Sequence, residues 1–203
     1  HPKDCTKELL DTMASCDKVA KHLHLPFQSG NDRVLKAMNR GYTREKYLEL
    51  AKYARQVMPD LSMTSDVIVG FPGETYEEFR DTVSLIEEVR FTSLFTFIFS
   101  PRPGTKAADM PDPISREEKG KWFKELTDAQ EKISSERTAA MKDKTYTVLC
   151  ESYAKDGILN GRTEGNVMIE FPEVEGKELI GKFCKVRVTE PLTWIVRGVL
   201  DER

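Results

Sequence analysis

The 203 residues include only four cysteines, Cys5, Cys16, Cys150 and Cys184, and no two are spaced as CxxC or CxxxCxxC. That argues against zinc or iron-sulfur ligation by a close thiolate cluster and leaves four isolated, reduced thiols. Histidine is equally scarce. His22 and His24 alternate with Leu23 and Leu25 on a predicted strand, where they line an interior more readily than they ligate a metal. No run approaches the roughly 18 apolar residues of a membrane span, and no signal-peptide pattern opens the chain, so no membrane partner and a cytoplasmic location are expected. An excess of one charge is missing too. With 31 basic against 34 acidic residues, the formal net charge of -3 disfavours broad non-specific nucleic-acid affinity, so any RNA contact must be local. Repeats and low-complexity tracts are absent.

What is present is enough apolar residue, 39% of the chain, to bury one large core or two modest ones. Up to about residue 141 short apolar strands alternate with longer helical stretches, which predicts an α/β layout with parallel strands. Helices are expected at Lys7–Ala14, Asp32–Met38, Arg44–Met58 and Tyr76–Arg90. Strands are expected at Val19–Leu25, Leu61–Val69 and Ser93–Phe99. Thr75 with Glu78, and Ser115 with Glu118, are spaced as capping boxes. Tyr76, Phe79, Val83 and Ile86 form one apolar stripe, and Trp122, Phe123, Leu126, Ala129 and Ile133 another. From residue 142 the texture changes to closely spaced strands at Tyr146–Glu151, Ile158–Arg162, Val167–Phe171, Phe183–Val188 and Trp194–Val199, the pattern of a small oligonucleotide-binding-like β-barrel. Phe171, Phe183 and Val186 are its expected core. The division predicted is therefore 1–141 and 142–203.

The most informative stretch is Asp66-Val67-Ile68-Val69-Gly70-Phe71-Pro72-Gly73-Glu74-Thr75, a strand, a glycine turn and a helix start. Strand residues alternate faces, so Thr64, Asp66, Ile68 and Gly70 share one side and bring a carboxylate, an apolar contact and bare backbone to the strand's carboxyl end. That set suits a nucleoside, and equally a plain turn. Gln28, on the face of His22 and His24, can exchange hydrogen bonds with ribose hydroxyls, and Arg40 can hold a carboxylate in bidentate fashion. The competing reading makes Gln28 and Ser29 caps of the next helix and Arg40 a solvated terminus.

Several phrases decide between these by resemblance: His22-Leu23-His24-Leu25-Pro26-Phe27-Gln28-Ser29-Gly30, Met38-Asn39-Arg40-Gly41-Tyr42-Thr43, Asp66 to Thr75, Phe99-Ser100-Pro101-Arg102-Pro103-Gly104-Thr105, and Gly161-Arg162-Thr163-Glu164 through Leu192-Thr193-Trp194-Ile195-Val196-Arg197-Gly198. Together they resemble the carboxyl-terminal part of the radical S-adenosylmethionine tRNA methylthiotransferases, over essentially the whole chain. The resemblance implies a partial radical-SAM (βα) half-barrel, TIM-like, followed by a small all-β TRAM barrel that contacts RNA. It implies S-adenosylmethionine as cofactor, with Gln28 and Asp66 at the ribose, Ser29 also among the cofactor-binding residues, Arg40 on the methionine carboxylate, and Ile68, Gly70, Phe97, Ile98 and Phe99 shaping the adenine site. Arg162, Lys182, Lys185, Arg187, Trp194 and Arg197 would form the RNA face, although the ten basic and eleven acidic residues after position 141 do not announce one by charge.

The implied activity is methylthiolation of carbon 2 of an adenosine beside the anticodon, in a tRNA anticodon stem-loop, with a sulfur donor and an electron donor. Gln28-Ser29-Gly30 resembles the branches acting on isopentenyladenosine or threonylcarbamoyladenosine, and Pro26 with the Ser100 to Thr105 string favours the first. Departures matter. The CxxxCxxC motif is missing, and the two 4Fe-4S clusters of the full-length enzyme have no ligands in this chain. Lys142-Asp143-Lys144 stands where the family tends to have Gly-Lys. The chain opens at His1-Pro2-Lys3-Asp4, as if mid-barrel, so the expectation is an inactive fragment that self-associates through an exposed barrel edge. The rival readings are a non-catalytic RNA-binding adaptor and a sugar-phosphate or aldol enzyme, the latter disfavoured by the lack of a Lys or acid-base pair at the strand ends.

Overall fold

The computed structural model describes residues 1–201; Glu202 and Arg203, the last two residues of the predicted barrel, lie outside the described residues. Two compact units are present, one of His1–Asp17 with Leu23–Ile133, the other of Lys18–His22 with the chain from Ser134 onward. No helix among the described residues is long and apolar enough to cross a membrane.

The first unit is α/β. Helix α1 spans Lys7–Ser15, α2 Asp32–Ala37, α3 Arg44–Val57 and α4 Tyr76–Val89, around strands β1 (His22–His24), β2 (Ser62–Val69) and β3 (Ser93–Ile98) in the order β1-β2-β3. Each helix starts on a side chain that satisfies an otherwise orphaned amide: Thr6, Asn31, Thr43 and Thr75 all accept from the first turn. At Thr75 both halves of the capping box form. Strand β2 runs parallel to β3, with Thr64 opposite Ser93 and Val69 opposite Ile98. Its core is aromatic, with Phe27 stacked on Phe91 at 5.4 Å and Phe79 on Trp122 at 5.3 Å between ring centroids.

Two expectations fail here. Strand β1 is three residues long rather than spanning Val19–Leu25, because Asp17 and Lys18 turn the chain and the His22 amide donates to Ala20 across a local turn, 2.8 Å, before pairing starts. Tyr76 leaves the apolar stripe: Phe79, Val83 and Ile86 are buried, but Tyr76 is 44% exposed at the first helical position, where its hydroxyl donates to Glu125 at 3.1 Å. Helix α5, Arg116–Ala139, buries Trp122, Leu126 and Ile133, while Phe123 and Ala129 are half-buried.

The second unit is a closed barrel of β4 (Thr145–Lys155), β5 (Ile158–Thr163), β6 (Met168–Pro172), β7 (Phe183–Pro191) and β8 (Ile195–Leu200), in the order β4-β5-β6-β8-β7. Inward positions of alternating strands fill it: Val148, Leu159, Ile169, Phe171, Val186 and Val196 are all buried. Phe183 is the correction. Pairing with Leu149 sets it on the outer parity of β7 with Lys185 and Arg187, and it is 73% exposed while Val186 and Val188 point inward.

Candidate functional site

The segment after β1 is held unusually firmly for a loop. Tyr47 donates to the Leu25 carbonyl at 2.7 Å, Tyr42 to the Phe27 carbonyl at 2.9 Å, and Ser65 to Leu25 at 2.8 Å while accepting from the Phe27 amide. Burial pushes the Tyr42 phenol up to about 12 and the Tyr47 phenol higher still, so both remain neutral donors. Gly30 donates to Thr82 at 2.8 Å, and a Cβ there would lie 2.5 Å from the Asp81 carbonyl on α4, so only glycine permits this approach. With its flanks fixed, Gln28 bridges to β2 through both its backbone groups, donating to Asp66 and accepting from Ile68, in the left-handed region at φ 67°. A non-glycine residue costs about 1–2 kcal/mol in that conformation, and such positions concentrate at binding sites.

Gln28 lines a cavity of about 920 Å³ together with Arg40, Asp66 and Ile68. Phe97, Ile98 and Phe99 supply its apolar wall, where Phe71 meets Phe99 edge-on at 5.2 Å. These seven residues come from a post-strand loop, the segment just after α2, β2, and β3 with the residue that follows it. The Arg40 Nε is buried with no hydrogen-bond partner, a donor awaiting an acceptor rather than a solvated terminus. Asp66 has a companion. The His24 Nε2 lies 3.5 Å from Asp66 Oδ1, and His24 Nδ1 lies 2.9 Å from the Thr64 hydroxyl. A carboxylate opposite Nε2 favours the tautomer with its proton there, in which Thr64 donates to Nδ1 and the Nε2 proton faces Asp66 across 3.5 Å.

Two predicted residues are not in the cavity wall. Ser29 is buried 3.4 Å from the Thr82 hydroxyl and buttresses α4. Gly70 turns away because its φ of +72° ends the strand alternation on which its placement rested; its amide donates to Glu74 Oε2 at 2.7 Å and its open side receives the Lys119 stem. The helix-capping role belongs to Asn31, not to Gln28 or Ser29. Glu74 also accepts from the Phe71 amide, and its other oxygen is buried without a partner; burial raises this carboxyl to about 7 despite the two amides. Sequence reasoning missed the hydroxyl buttresses, Glu74, and the cavity-lining Lys36, Arg102 and Lys106. The Phe71-Pro72-Gly73-Glu74 turn held a signal for Glu74; nothing local marked the three cations.

On the barrel, Lys182, Lys185 and Trp194 are exposed, with Trp194 at 57%. Arg187 shares the outer parity of β7 with Lys185 and Phe183. Arg162 is engaged by Glu151 at 3.3 Å, and Arg197 by Glu170 and Glu190 at 3.3 and 3.1 Å. The six predicted residues thus do not present equal charge, since two already have carboxylate partners.

The chain matches the radical SAM superfamily over residues 2–86 and the TRAM domain over residues 139–200. Similar proteins include the tRNA-2-methylthio-N(6)-dimethylallyladenosine synthases of a Thermoanaerobacter species, 45% identical over all of this chain and 43% of that protein, and of Syntrophotalea carbinolica, 47% identical over 93% of this chain and 43% of that protein. That of Acetivibrio thermocellus is 44% identical over 98% and 41%. The chain spans less than half the length of these curated relatives. Among solved structures, the Escherichia coli coproporphyrinogen III oxidase, described as a radical SAM enzyme, superposes with a TM-score of 0.53 at 16% identity, over 80% of this chain and 45% of that one, a likeness of fold alone. With part of the α/β unit matched to one model, the β-barrel matched to the other and similarity along this whole chain to part of these relatives, the chain joins a radical SAM region to a TRAM domain and is similar to the corresponding part of the tRNA-2-methylthio-N(6)-dimethylallyladenosine synthases.

Proposed function

We propose that residues 1–141 hold the nucleoside and amino-acid ends of S-adenosylmethionine, and that residues 142–203 grip RNA, within an enzyme that methylthiolates carbon 2 of isopentenyladenosine beside the anticodon of tRNA in the cytoplasm. The carrying observation is the cavity in which the Asp66 carboxylate, the unpartnered Arg40 Nε and an aromatic wall come together. These residues fit the cofactor. Asp66 accepts from the ribose hydroxyls with Gln28 beside it, Arg40 donates to the methionine carboxylate, and Ile68, Phe97 and Phe99 flank the adenine. The chemistry supplied by the bound cofactor is the one-electron cleavage that opens an unreactive C–H bond, while the protein binds and orients. His24 stands 3.5 Å from Asp66 and orients it, and the aromatic wall offers the adenine an apolar face.

The donor set does not fit a 4Fe-4S cluster: no three His, Cys, Asp or Glu groups converge among the described residues. Both clusters, with the sulfur and electron donors, would then belong to other residues of a full-length enzyme. The relatives named above, at 44–47% identity, support the isopentenyladenosine branch over the threonylcarbamoyladenosine one. The test is nucleoside mass spectrometry on tRNA from cells that lack the modification and express the full-length protein carrying this chain. The methylthio derivative of isopentenyladenosine should appear, and should disappear with Arg40→Ala. Methylthiolated threonylcarbamoyladenosine instead would overturn the substrate assignment.

A further inference from the structure

The charge of the cavity is opposite to that of the chain. Lys36 at the end of α2, Arg40 just beyond it, and Arg102 and Lys106 on the loop after β3 line it beside one acidic residue, Asp66, in a chain of net charge -3. Three other arginines of this unit are ion-paired: Arg33 with Glu78, Arg44 with Glu88, Arg80 with Glu125. Lys36, Arg102 and Lys106 are exposed and have no ion-pair partner among the described residues. Their loop is shaped, not slack, for the Arg102 carbonyl accepts from both the amide and the hydroxyl of Thr105, at 3.2 and 2.8 Å.

S-adenosylmethionine cannot account for these three. It carries a single carboxylate, already matched by Arg40, against an ammonium and a sulfonium, so further cations at its site repel it. A cluster of unpaired cations at a cavity mouth raises the local concentration of a polyanion instead. Next to them Phe97 is 53% exposed and Ile98 36%, an apolar face of the kind on which unstacked bases settle.

We propose that Lys36, Arg102 and Lys106 bind the phosphodiester backbone of the substrate RNA at the mouth of the cofactor cavity. This is an RNA contact of the α/β unit, separate from the barrel face, and it rests on the nucleoside-cofactor reading of the cavity. Each phosphate neutralised releases counterions, so the contact has a signature in salt dependence.

The test uses the whole 203-residue chain and a fluorescent hairpin RNA with adenosine in its loop, titrated from 50 to 200 mM salt. The triple variant Lys36→Gln, Arg102→Gln, Lys106→Gln should bind the RNA about tenfold more weakly at the lowest salt and lower the log–log salt slope by about two. Its affinity for S-adenosylmethionine should hold or rise slightly, as the loss of repelling cations requires, and its melting temperature should be unchanged. An unchanged slope would overturn the proposal, as would loss of slope only in Lys182→Gln, Lys185→Gln. A matching loss of S-adenosylmethionine affinity would assign the cations to the cofactor instead. Wild-type chain that binds S-adenosylmethionine but no RNA would sink this inference alone; chain that binds neither would sink it together with the cofactor reading.

Discussion

Arg40 is the residue on which the cofactor reading turns. A buried donor without an acceptor costs about 1–3 kcal/mol, and a ligand carboxylate that supplies the acceptor recovers it. Arg40→Ala should weaken S-adenosylmethionine binding about 10- to 100-fold, and Arg40→Lys should restore only part, since a point charge lacks the planar fork; calorimetry on the chain measures both. His24 makes a second case. His24→Phe keeps the edge contact with Phe95, 5.8 Å between centroids, but removes the polar nitrogen 3.5 Å from Asp66, so affinity should drop about fivefold, and His24→Gln should recover it. If both variants bind as wild type, His24 does not orient Asp66. Glu74 predicts a pH effect. Its folded carboxyl titrates at about 7 against an ordinary 4.5, so the folded state resists its ionisation: the contribution is intact below pH 4.5 and is lost as pH rises through 7, by at most about 3 kcal/mol. Relative to wild type, Glu74→Gln should gain melting temperature between pH 5 and pH 8. Asp66 and Ile68 were legible from strand parity; Gly70 was not, because parity ends where φ turns positive, and that torsion is set by Glu74 and Lys119.

At the scale of elements, the helices were legible to within a residue or two because their starts carry side-chain caps and their stripes keep a helical period. The short β1 was not. Its apolar alternation predicts seven paired residues, yet the turn at Asp17 and Lys18 and the local His22 bond take the first three, and Gln28 resumes the pairing beyond the strand as an isolated bridge. Long-range hydroxyl bonds from Tyr42, Tyr47 and Ser65 make that resumption possible, and they join residues 15 to 40 apart, beyond any local pattern. Gly30 is where this assembly is least tolerant. Gly30→Ala would force a Cβ against the α4 backbone at 2.5–2.8 Å, and should destabilise by about 2–4 kcal/mol in urea unfolding and displace Gln28. A change below about 0.5 kcal/mol would show that α4 gives way freely. Phe183 misled the reading for a related reason: aromatic residues in strands are read as core, but the β4–β7 register, not composition, decides which face they take.

For the molecule as a whole, the three-stranded sheet leaves β1 and β3 each with one strand neighbour among the described residues, and Phe95 and Phe97 on β3 are more than half exposed. Such an edge seeks a partner. Sedimentation velocity at micromolar concentration should show association of the chain, reduced by Phe95→Lys; a strict monomer at all concentrations would remove that expectation. Whether one cavity holds the cofactor is read by titrating isotopically labelled chain with S-adenosylmethionine and mapping the shifts of its amides. Saturable shifts should gather on Gln28, Arg40, Asp66, Ile68 and Phe97 to Phe99, with the barrel strands unmoved and the response lost in Asp66→Asn, Arg40→Ala. Saturable shifts centred elsewhere, or none at millimolar cofactor, would contradict that reading.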